Sequence, residues 1–249
     1  MEVHHHPDIR RKDFKEYVLE GLMIFMAVTM GFFAERLREN MAEHATEEEF
    51  IISMIEDAAT DISSIQKNIE INRLRVLRLD TLATLCFNYN SSADNDNNLY
   101  NVMKYCIKHP DFVTPVERTL SQLKNSGGMR LIEEPTASDC IINYDEVTKK
   151  MVNQQQYYEL HLNVLIDATE EIFNLKYFPL NPLTFKWENG YDSKSPAKLI
   201  NYDKIKLIEL GNKAKLFQGI VLFYITRLEE TNQNAQNLIE TLKHEYHID

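Results

Sequence analysis

The sequence predicts an all-α fold, and three observations support this prediction. Between Gly31 and Pro110 the chain contains neither glycine nor proline, the two residues that most often break helices. Within that stretch apolar residues recur at alternating intervals of three and four, the spacing of one helix face. Residues 17–34 form an apolar run near the N-terminus. Together they predict an N-terminal transmembrane helix that is continuous with a long helix of an extracytoplasmic helical bundle.

The apolar run of residues 17–34 is long enough to cross a bilayer. Its length as a helix is about 27 Å, close to the thickness of a thin hydrocarbon core. A cleavable signal peptide would end in small residues, but this run ends in Phe32-Phe33-Ala34-Glu35. A buried core helix would show a polar face, whereas Thr29 is the only polar residue between Gly21 and Ala34. We interpret the run as an uncleaved membrane anchor.

The lysine and arginine residues beside the run predict its orientation, because positive charge is enriched on the cytoplasmic side. More of them precede the run than follow it: Arg10, Arg11, Lys12 and Lys15 before, Arg36 and Arg38 after. The prediction is a single pass through the inner membrane. Residues 1–16 are then a cytoplasmic segment, residues 17–34 the transmembrane helix and residues 35–249 an extracytoplasmic, periplasmic α-helical domain.

Composition limits the partners that the chain can have. Its net charge of −11 disfavours binding to nucleic acid, which requires a phosphate-neutralising surface. The part after the anchor is long enough for one domain with its own core. Three cysteines are present, and no two have the spacing of a metal site. Cys86 and Cys106 either form a disulfide in an oxidising compartment or remain buried thiols.

A stripe with 3-4 spacing runs along the long helix, predicted from about Lys12 to Leu85 as one helix or two nearly collinear ones. Its members are Ile51, Ile55, Ala58, Ile62, Ile65, Ile69, Asn72, Val76, Leu79 and Ala83. Such a stripe packs at a shallow angle on other helices. Those helices belong either to the same domain or, in an intermolecular coiled coil, to other copies. Because no breaker follows Phe32, the anchor and this helix are expected to form one rigid rod.

Extended backward, the stripe reaches Glu20 and the small residues of the anchor. Ala27 and Ala34 lie on this phase, and Gly31 forms with Ala27 the pair Ala27-x-x-x-Gly31, which permits close approach of two membrane helices. A carboxyl at membrane depth requires a proton, a cation or water, or reaches the headgroups. Together with Thr29, Glu20 is a membrane-embedded polar residue. These features predict a homo-oligomer or another membrane protein as partner, besides the lipid bilayer itself.

Acidic residues spaced by four follow the anchor and define an acidic ridge, Glu35, Glu39, Glu43 and Glu47. Around the axis of an oligomer this ridge would attract cations at a pore entrance. Alternatively, it is simply a solvated helix face.

Sequence signatures of enzymes are absent. The chain has no P-loop, dinucleotide-binding, nucleophile-elbow or HExxH motif, and it lacks the Glu-x-x-His motifs on two helices that a di-iron site needs. We therefore predict no catalytic residues, no enzymatic activity and no cofactor. His4, His5 and His6 are weak candidates for metal ligands, and the alternative is an unstructured terminus or a tag remnant.

Further segments are predicted from breakers and periodicity. A polar loop is predicted over 88–98 and a helix over 99–107. A second helix is predicted from Thr114-Pro115-Val116-Glu117 to Ser126-Gly127-Gly128, and a third from Glu134-Pro135 to Phe173. An ordered loop over 176–196 and a helix from Asp203, with a break at Gly211, complete the chain.

The N-terminal sequence resembles that of a protein group. The residues that carry the resemblance are His4-His5-His6-Pro7, Phe14-Lys15-Glu16-Tyr17, Leu19-Glu20, Met23-Ile24-Phe25 and Ala27 to Glu35, with a later match at Leu120 to Gly128. The group comprises uncharacterised single-pass membrane-anchored proteins of Bacteroidota. The resemblance implies that the histidine run is native and that the cell is Gram-negative, and it supplies no activity.

Two hypotheses about function follow. The first is a membrane-anchored structural or interaction protein that self-associates. The second is an oligomeric ion-conducting or ion-coupled membrane protein that uses Glu20, in which Glu20→Gln would abolish ion flux.

Overall fold

The computed structural model describes residues 13–125, 127–178 and 197–248, with the backbone of 180–181 and 186–187. Its α-helices are α1 (Phe14–Phe87), α2 (Ala93–Cys106), α3 (Arg118–Asn125), α4 (Pro135–Ile172) and α5 (Lys204–Glu245). Short 3-10 helices cover Gly128–Leu131 and Leu175–Tyr177. Strand β1 (Leu180–Asn181) pairs antiparallel with β2 (Lys186–Trp187), with Leu180 opposite Trp187. Apart from these two strands the described elements are helical, as predicted.

The chain divides into two compact units. The N-terminal unit is Met1–Phe50, and the core unit is Ile51–Asp249. This division lies later than residue 35, where the sequence suggested that the domain begins. Helix α1 contributes to both units and has no non-helical residue between Ala34 and Ile51. The single long helix therefore exists, while its rigidity as a rod stays a prediction.

The stripe on α1 is buried within the core unit of its own chain. Ile51, Ala58, Ile65, Leu79 and Ala83 are each at most 1% exposed. A single hydrophobic cluster surrounds the later part of the stripe and draws its other members from α2, α4 and α5, including Leu99, Met103, Cys106, Tyr158, Leu162, Leu165, Leu210, Phe217 and Tyr224. Packing within the chain accounts for this burial without a second copy.

The prediction of a polar loop over 88–98 is wrong in its second half, because α2 begins at Ala93. The hydroxyl of Ser92 accepts a hydrogen bond from the Asn95 backbone N–H and caps the helix. Asp96 is buried in the first turn and accepts hydrogen bonds from the hydroxyls of Tyr89 (2.5 Å) and Tyr202 (2.9 Å). These polar residues therefore start a helix that tertiary contacts stabilise.

The predicted start of the next helix at Thr114 is also wrong, because residues 114–117 are not helical and α3 begins at Arg118. The cap comes from a different part of the chain. Asp57 of α1 accepts hydrogen bonds from the backbone N–H of Thr119 (3.1 Å) and from its hydroxyl (2.6 Å). The predicted end is confirmed at Gly127, which has a left-handed φ of 70°.

Helix α4 follows its prediction. Glu134 is the N-cap, Pro135 occupies the first turn, and Phe173 is the C-cap. Helix α5 follows its prediction except at Gly211, where no break occurs. A Cβ atom at Gly211 would lie 2.6 Å from Cε1 of Phe87, the last residue of α1. Glycine at this position permits close contact between α1 and α5, and it does not end a helix. The loop predicted over 176–196 lies mostly outside the described residues.

The three cysteines are free thiols, and Cys86 and Cys106 are buried. Burial raises the pKa of each of these two thiols to about 12. Of the two alternatives, the structure has the buried thiols.

Gly211→Ala and Gly219→Ala are expected to have different effects on stability. Gly219 is exposed in α5 and a Cβ there meets nothing within 4 Å, so alanine should stabilise the helix by about 0.5–1 kcal/mol. At Gly211 the new methyl must displace the Phe87 ring, and this variant should be less stable than Gly219→Ala by about 1–3 kcal/mol. Urea unfolding followed by circular dichroism measures both.

A Phe87→Ala background is the control for this comparison, because it removes the ring that the new methyl would meet. There the two glycine substitutions should have equal effects. If Gly211→Ala still destabilises in that background, the close contact is not the cause.

Candidate functional site

Five buried polar residues follow one face of α1 in the core unit. They are Asp57, Asp61, Asn68, Asn72 and Arg75, each at most 6% exposed. Their spacings of four, seven, four and three place them on a single helix face beside the apolar stripe. Buried polar groups require hydrogen-bond partners, so this face must meet polar groups elsewhere in the fold.

Three side-chain hydrogen bonds, two of them from this face of α1, hold the segment 107–117, which we call the strap and which has no regular secondary structure. Nη2 of Arg75 donates to the carbonyl oxygen of Lys108 at 2.6 Å. Nε2 of Gln155, on α4, donates to the carbonyl of Val113 at 2.9 Å, and Oδ1 of Asp61 accepts from the Val116 N–H at 3.0 Å. Long side chains thus satisfy backbone groups that the strap cannot pair internally.

Tyr158 of α4 lies at the centre of this network. Nη1 of Arg75 donates to the Tyr158 hydroxyl at 2.6 Å, and that hydroxyl donates to Oδ1 of Asn72 at 2.8 Å. Phe112 of the strap stacks edge-on against Tyr158, with ring centroids 5.3 Å apart, and also against Tyr224. Burial raises the pKa of Tyr158 to about 12 although Arg75 acts in the opposite direction. The phenol therefore stays neutral and has a structural role.

A cleft of about 230 Å³ lies farther along the same face, between the strap, α3 and α4. Asp61, only 2% exposed, lines it and accepts a hydrogen bond at Oδ2 from the Tyr144 hydroxyl at 2.6 Å. Burial raises the pKa of Asp61, and the donors Tyr144 and Val116 oppose that rise. Thr148, one turn after Tyr144, also lines the cleft.

Charged groups at the cleft neutralise one another around Asp145. Its carboxylate contacts Nζ of Lys124 at 2.5 Å and Nζ of Lys149 at 2.7 Å. Burial opposes ionisation of Asp145, yet the two lysines hold its pKa below the usual value. Asp57 is likewise paired, with Nη2 of Arg118 at 2.8 Å. Among the described ion pairs, Asp61 has none. Asp57, Asp61 and Asp145 thus each have hydrogen-bond or ion-pair partners within the chain.

The site residues that the sequence predicts belong to the N-terminal unit, whereas the cleft belongs to the core unit. Glu20, Ala27, Gly31 and Ala34 are exposed, and a Cβ at Gly31 would meet nothing within 4 Å. The hydroxyl of Thr29 donates to the Phe25 carbonyl at 2.8 Å, so it is satisfied within the helix. No part of the described chain covers the small residues of the anchor.

The large apolar residues of the predicted anchor are exposed. Within the described chain, α1 is the helix that is long and apolar enough to cross a membrane, and its most apolar window has no buried residue. Met26 is 53% exposed and Phe32 is 74% exposed. A helix that formed the core of this domain would bury such side chains.

The acidic ridge is not uniformly solvated. Glu35 pairs with Arg38 at 2.5 Å, while Glu39 and Glu43 are exposed. Glu47 is only 4% exposed, and its carboxylate lies 3.5 Å from Nδ1 of His44. The candidate metal ligands His4, His5 and His6 lie outside the described residues.

Sequence reasoning missed most of the buried polar residues of the core unit. Asn72 was noticed within the stripe, but Asp57, Asp61 and Thr148 were not. One signal was available, because Asp57 and Asp61 flank Ala58 on the buried side of α1, where carboxylates are rarely placed without partners.

No family model, curated protein or solved structure matches the chain.

Asp61→Asn is expected to change how stability depends on pH. Because burial raises the folded-state pKa of Asp61 above its unfolded value near 3.8, the folded protein binds that proton more tightly. As the pH rises from the pKa of Asp61 in the unfolded chain to its higher pKa in the folded protein, the unfolding free energy of the wild type therefore falls relative to that of Asp61→Asn. Chemical unfolding at a series of pH values from about 4 to 8 measures this difference.

Asp167→Asn, on an exposed position of α4, is the matched control for removing one negative charge. A difference between Asp61→Asn and wild type that is constant over the pH series, or that has the opposite slope, would contradict the assignment of a raised pKa to Asp61.

Proposed function

We propose that this chain is a single-pass membrane-anchored helical protein with a structural or interaction role. Residues 17–34 cross the inner membrane with the N-terminus in the cytoplasm, and the helical domain that follows lies in the periplasm as a bundle. The observation that carries the proposal is the exposure of every large apolar side chain from Tyr17 to Phe33 in the structure. Burial of such a surface in lipid is strongly favourable, whereas its contact with water is costly.

The continuity of α1 supports an uncleaved anchor over a signal peptide. The helix passes from the apolar run through Glu35 and on to Ile51 with no non-helical residue. A cleavage site requires an extended segment after the apolar region, with small residues at fixed positions. The resemblance to anchored proteins of Bacteroidota agrees with this proposal and with a Gram-negative cell.

An interaction role is proposed in place of an enzymatic one because the buried polar residues on the core-unit part of α1 have hydrogen-bond partners within the chain. Asp57 attaches α3 to α1, Arg75 attaches the strap to α1, and Asn72 connects α1 to Tyr158 of α4. The tyrosines of the core are neutral, since burial raises the pKa of both Tyr158 and Tyr224 to about 12. No cofactor is part of the proposal.

Self-association through the anchor is the second part of the proposal. Ala27 and Gly31 lie one turn apart on an exposed face, and a Cβ at Gly31 meets nothing within 4 Å. Small residues at this spacing let two membrane helices approach closely. A second copy of the chain is the simplest partner for such a face.

Replacing Ile24 and Val28 together by arginine is expected to release the protein from membranes. Each arginine near the middle of a membrane helix costs about 2.5–3.5 kcal/mol on insertion scales. Membrane fractionation with carbonate extraction measures the result. The matched control is Leu37→Arg with Met41→Arg, which adds the same charge to exposed apolar positions beyond the run. If both double variants remain in the membrane fraction as fully as the wild type, residues 17–34 are not the anchor.

Gly31→Ile is expected to weaken self-association, because a branched side chain separates the two helices. Gly21→Ile is the comparison variant, since Gly21 lies ten residues before Gly31, outside the Ala27–Gly31 pair, and also has open space around it. Cross-linking of the detergent-solubilised protein over a wide concentration range measures the oligomer. A wild type that is monomeric throughout, or two variants that lose the oligomer equally, would contradict this part.

A further inference from the structure

A second apolar stripe lies on the outer surface of α1, away from the core. Its members, Ile71, Leu74 and Leu77, recur at intervals of three, and Leu74 and Leu77 are 63% and 64% exposed. The stripe spans about 9 Å along the helix axis. An exposed apolar surface that is bordered by polar side chains is typical of a protein docking site.

Cations border this stripe on the side of α2. Arg78 lies one turn after Leu74, and its guanidinium carbon is 5.0 Å from the centre of the Tyr105 ring. Nζ of Lys104 is 5.0 Å from the same ring centre, and Lys108 is exposed one turn later. None of these three cations has a carboxylate partner among the ion pairs of the described residues. Their charge is therefore available to an anionic partner.

A buried guanidinium adds positive charge beneath the same border. Arg75 is 5% exposed, and it donates to neutral acceptors, the Lys108 carbonyl and the Tyr158 hydroxyl, each at 2.6 Å. No carboxylate pairs with it in the described part of the chain, and a buried charge is screened less than an exposed one. In a chain with a net charge of −11, this border is thus a local region of the opposite sign.

The other border of the stripe, toward α5, offers no such excess. Arg73 pairs with Glu229 at 2.7 Å, and Lys215 pairs with Asp80 at 2.5 Å. Glu70, at the start of the stripe, is acidic. Attraction of an anion is therefore confined to the α2 side. A flat anionic bilayer would contact both borders, so it fits this surface less well than a helix with one acidic flank.

We propose that this surface docks an acidic amphipathic helix of a partner protein. Apolar side chains of that helix pack on Leu74 and Leu77, and its carboxylates face Arg78, Lys104 and Lys108. Helices that dock in this way carry apolar anchors at intervals of three and four. Complementary charge along one flank fixes register and excludes other partners. The proposal rests on the interaction role proposed above and names the class of partner.

The test uses the full chain in nanodiscs of zwitterionic lipid and a dye-labelled helical peptide of about 14 residues. The peptide carries leucines at 3-4 spacing on one face and glutamates along one flank of that face. A second peptide has glutamine in place of each glutamate. Fluorescence anisotropy should show saturable binding of the acidic peptide above its binding to empty nanodiscs, and about fivefold weaker binding of the glutamine peptide. Raising NaCl from about 50 mM to about 500 mM should remove most of that difference.

Variants locate the charge-dependent part of binding. Arg78→Gln with Lys104→Gln should weaken binding of the acidic peptide about threefold to tenfold and reduce its salt dependence. Arg130→Gln with Lys150→Gln is the matched control, because it removes one arginine and one lysine that are exposed and have no ion pair among the described residues. This control should leave the affinity unchanged.

Leu74→Gln should weaken binding of both peptides about threefold or more, whereas Leu216→Gln, at a residue of α5 that is 59% exposed, should weaken neither. Equal binding of the two peptides, or equal effects of the two cation variants, would overturn the proposal. Association with phosphatidylglycerol vesicles or with a second copy that depends on Arg78 and Lys104 would also overturn it, in favour of lipid or of the chain itself. Carbonate extraction tests the anchor separately, so failure here is distinguishable from failure of the proposed membrane attachment.

Discussion

The core unit depends on one constraint: the backbone groups of the strap, residues 107–117, must find hydrogen-bond partners. The residues of the strap form no regular secondary structure, yet Ile107, Pro110 and Val113 are buried, so the backbone groups that this burial shields from water need other partners. Arg75, Asp61 and Gln155 supply those partners from two long helices. The cost of burying polar side chains on α1 is thereby offset, because each one satisfies a group that would otherwise be orphaned. Apolar residues at these positions would fill the space but leave the strap without attachment.

Helices with strong local signals could be predicted from the sequence. The absence of breakers and the 3-4 spacing predicted α1 close to its observed end at Phe87, and Pro135 marked the start of α4. These signals are local because a helix satisfies its own backbone within four residues. The predictions that are wrong depend on distant contacts. Tyr202 stabilises the start of α2, Asp57 caps the start of α3, and Gly211 lies inside α5 where the Phe87 ring leaves no room for a Cβ atom.

The candidate site could be predicted less well, for a related reason. A membrane-spanning helix is predicted from the composition of a single segment, so the sequence alone indicates residues 17–34. A cleft is formed by groups that are remote in sequence, such as Asp61 of α1 and Tyr144 of α4. The pattern of α1 nevertheless contained Asp57 and Asp61 on its buried side. A carboxylate pair on an otherwise apolar helix face is a signal of tertiary hydrogen bonding that deserves weight in similar sequences.

The buried thiols have a consequence for how the protein would mature in an oxidising compartment. With a pKa of about 12, each of Cys86 and Cys106 is a thiolate in only about one molecule in 10⁴ to 10⁵ near neutral pH. The thiolate is the species that reacts with oxidants and that attacks the disulfide of an exchange enzyme, so the folded chain resists both reactions. The thiols are vulnerable only while the chain is unfolded and its cysteines have ordinary reactivity. Their redox state therefore depends on which happens first, burial in the core or encounter with an oxidant. Fast packing of α1 against α2 would protect both thiols.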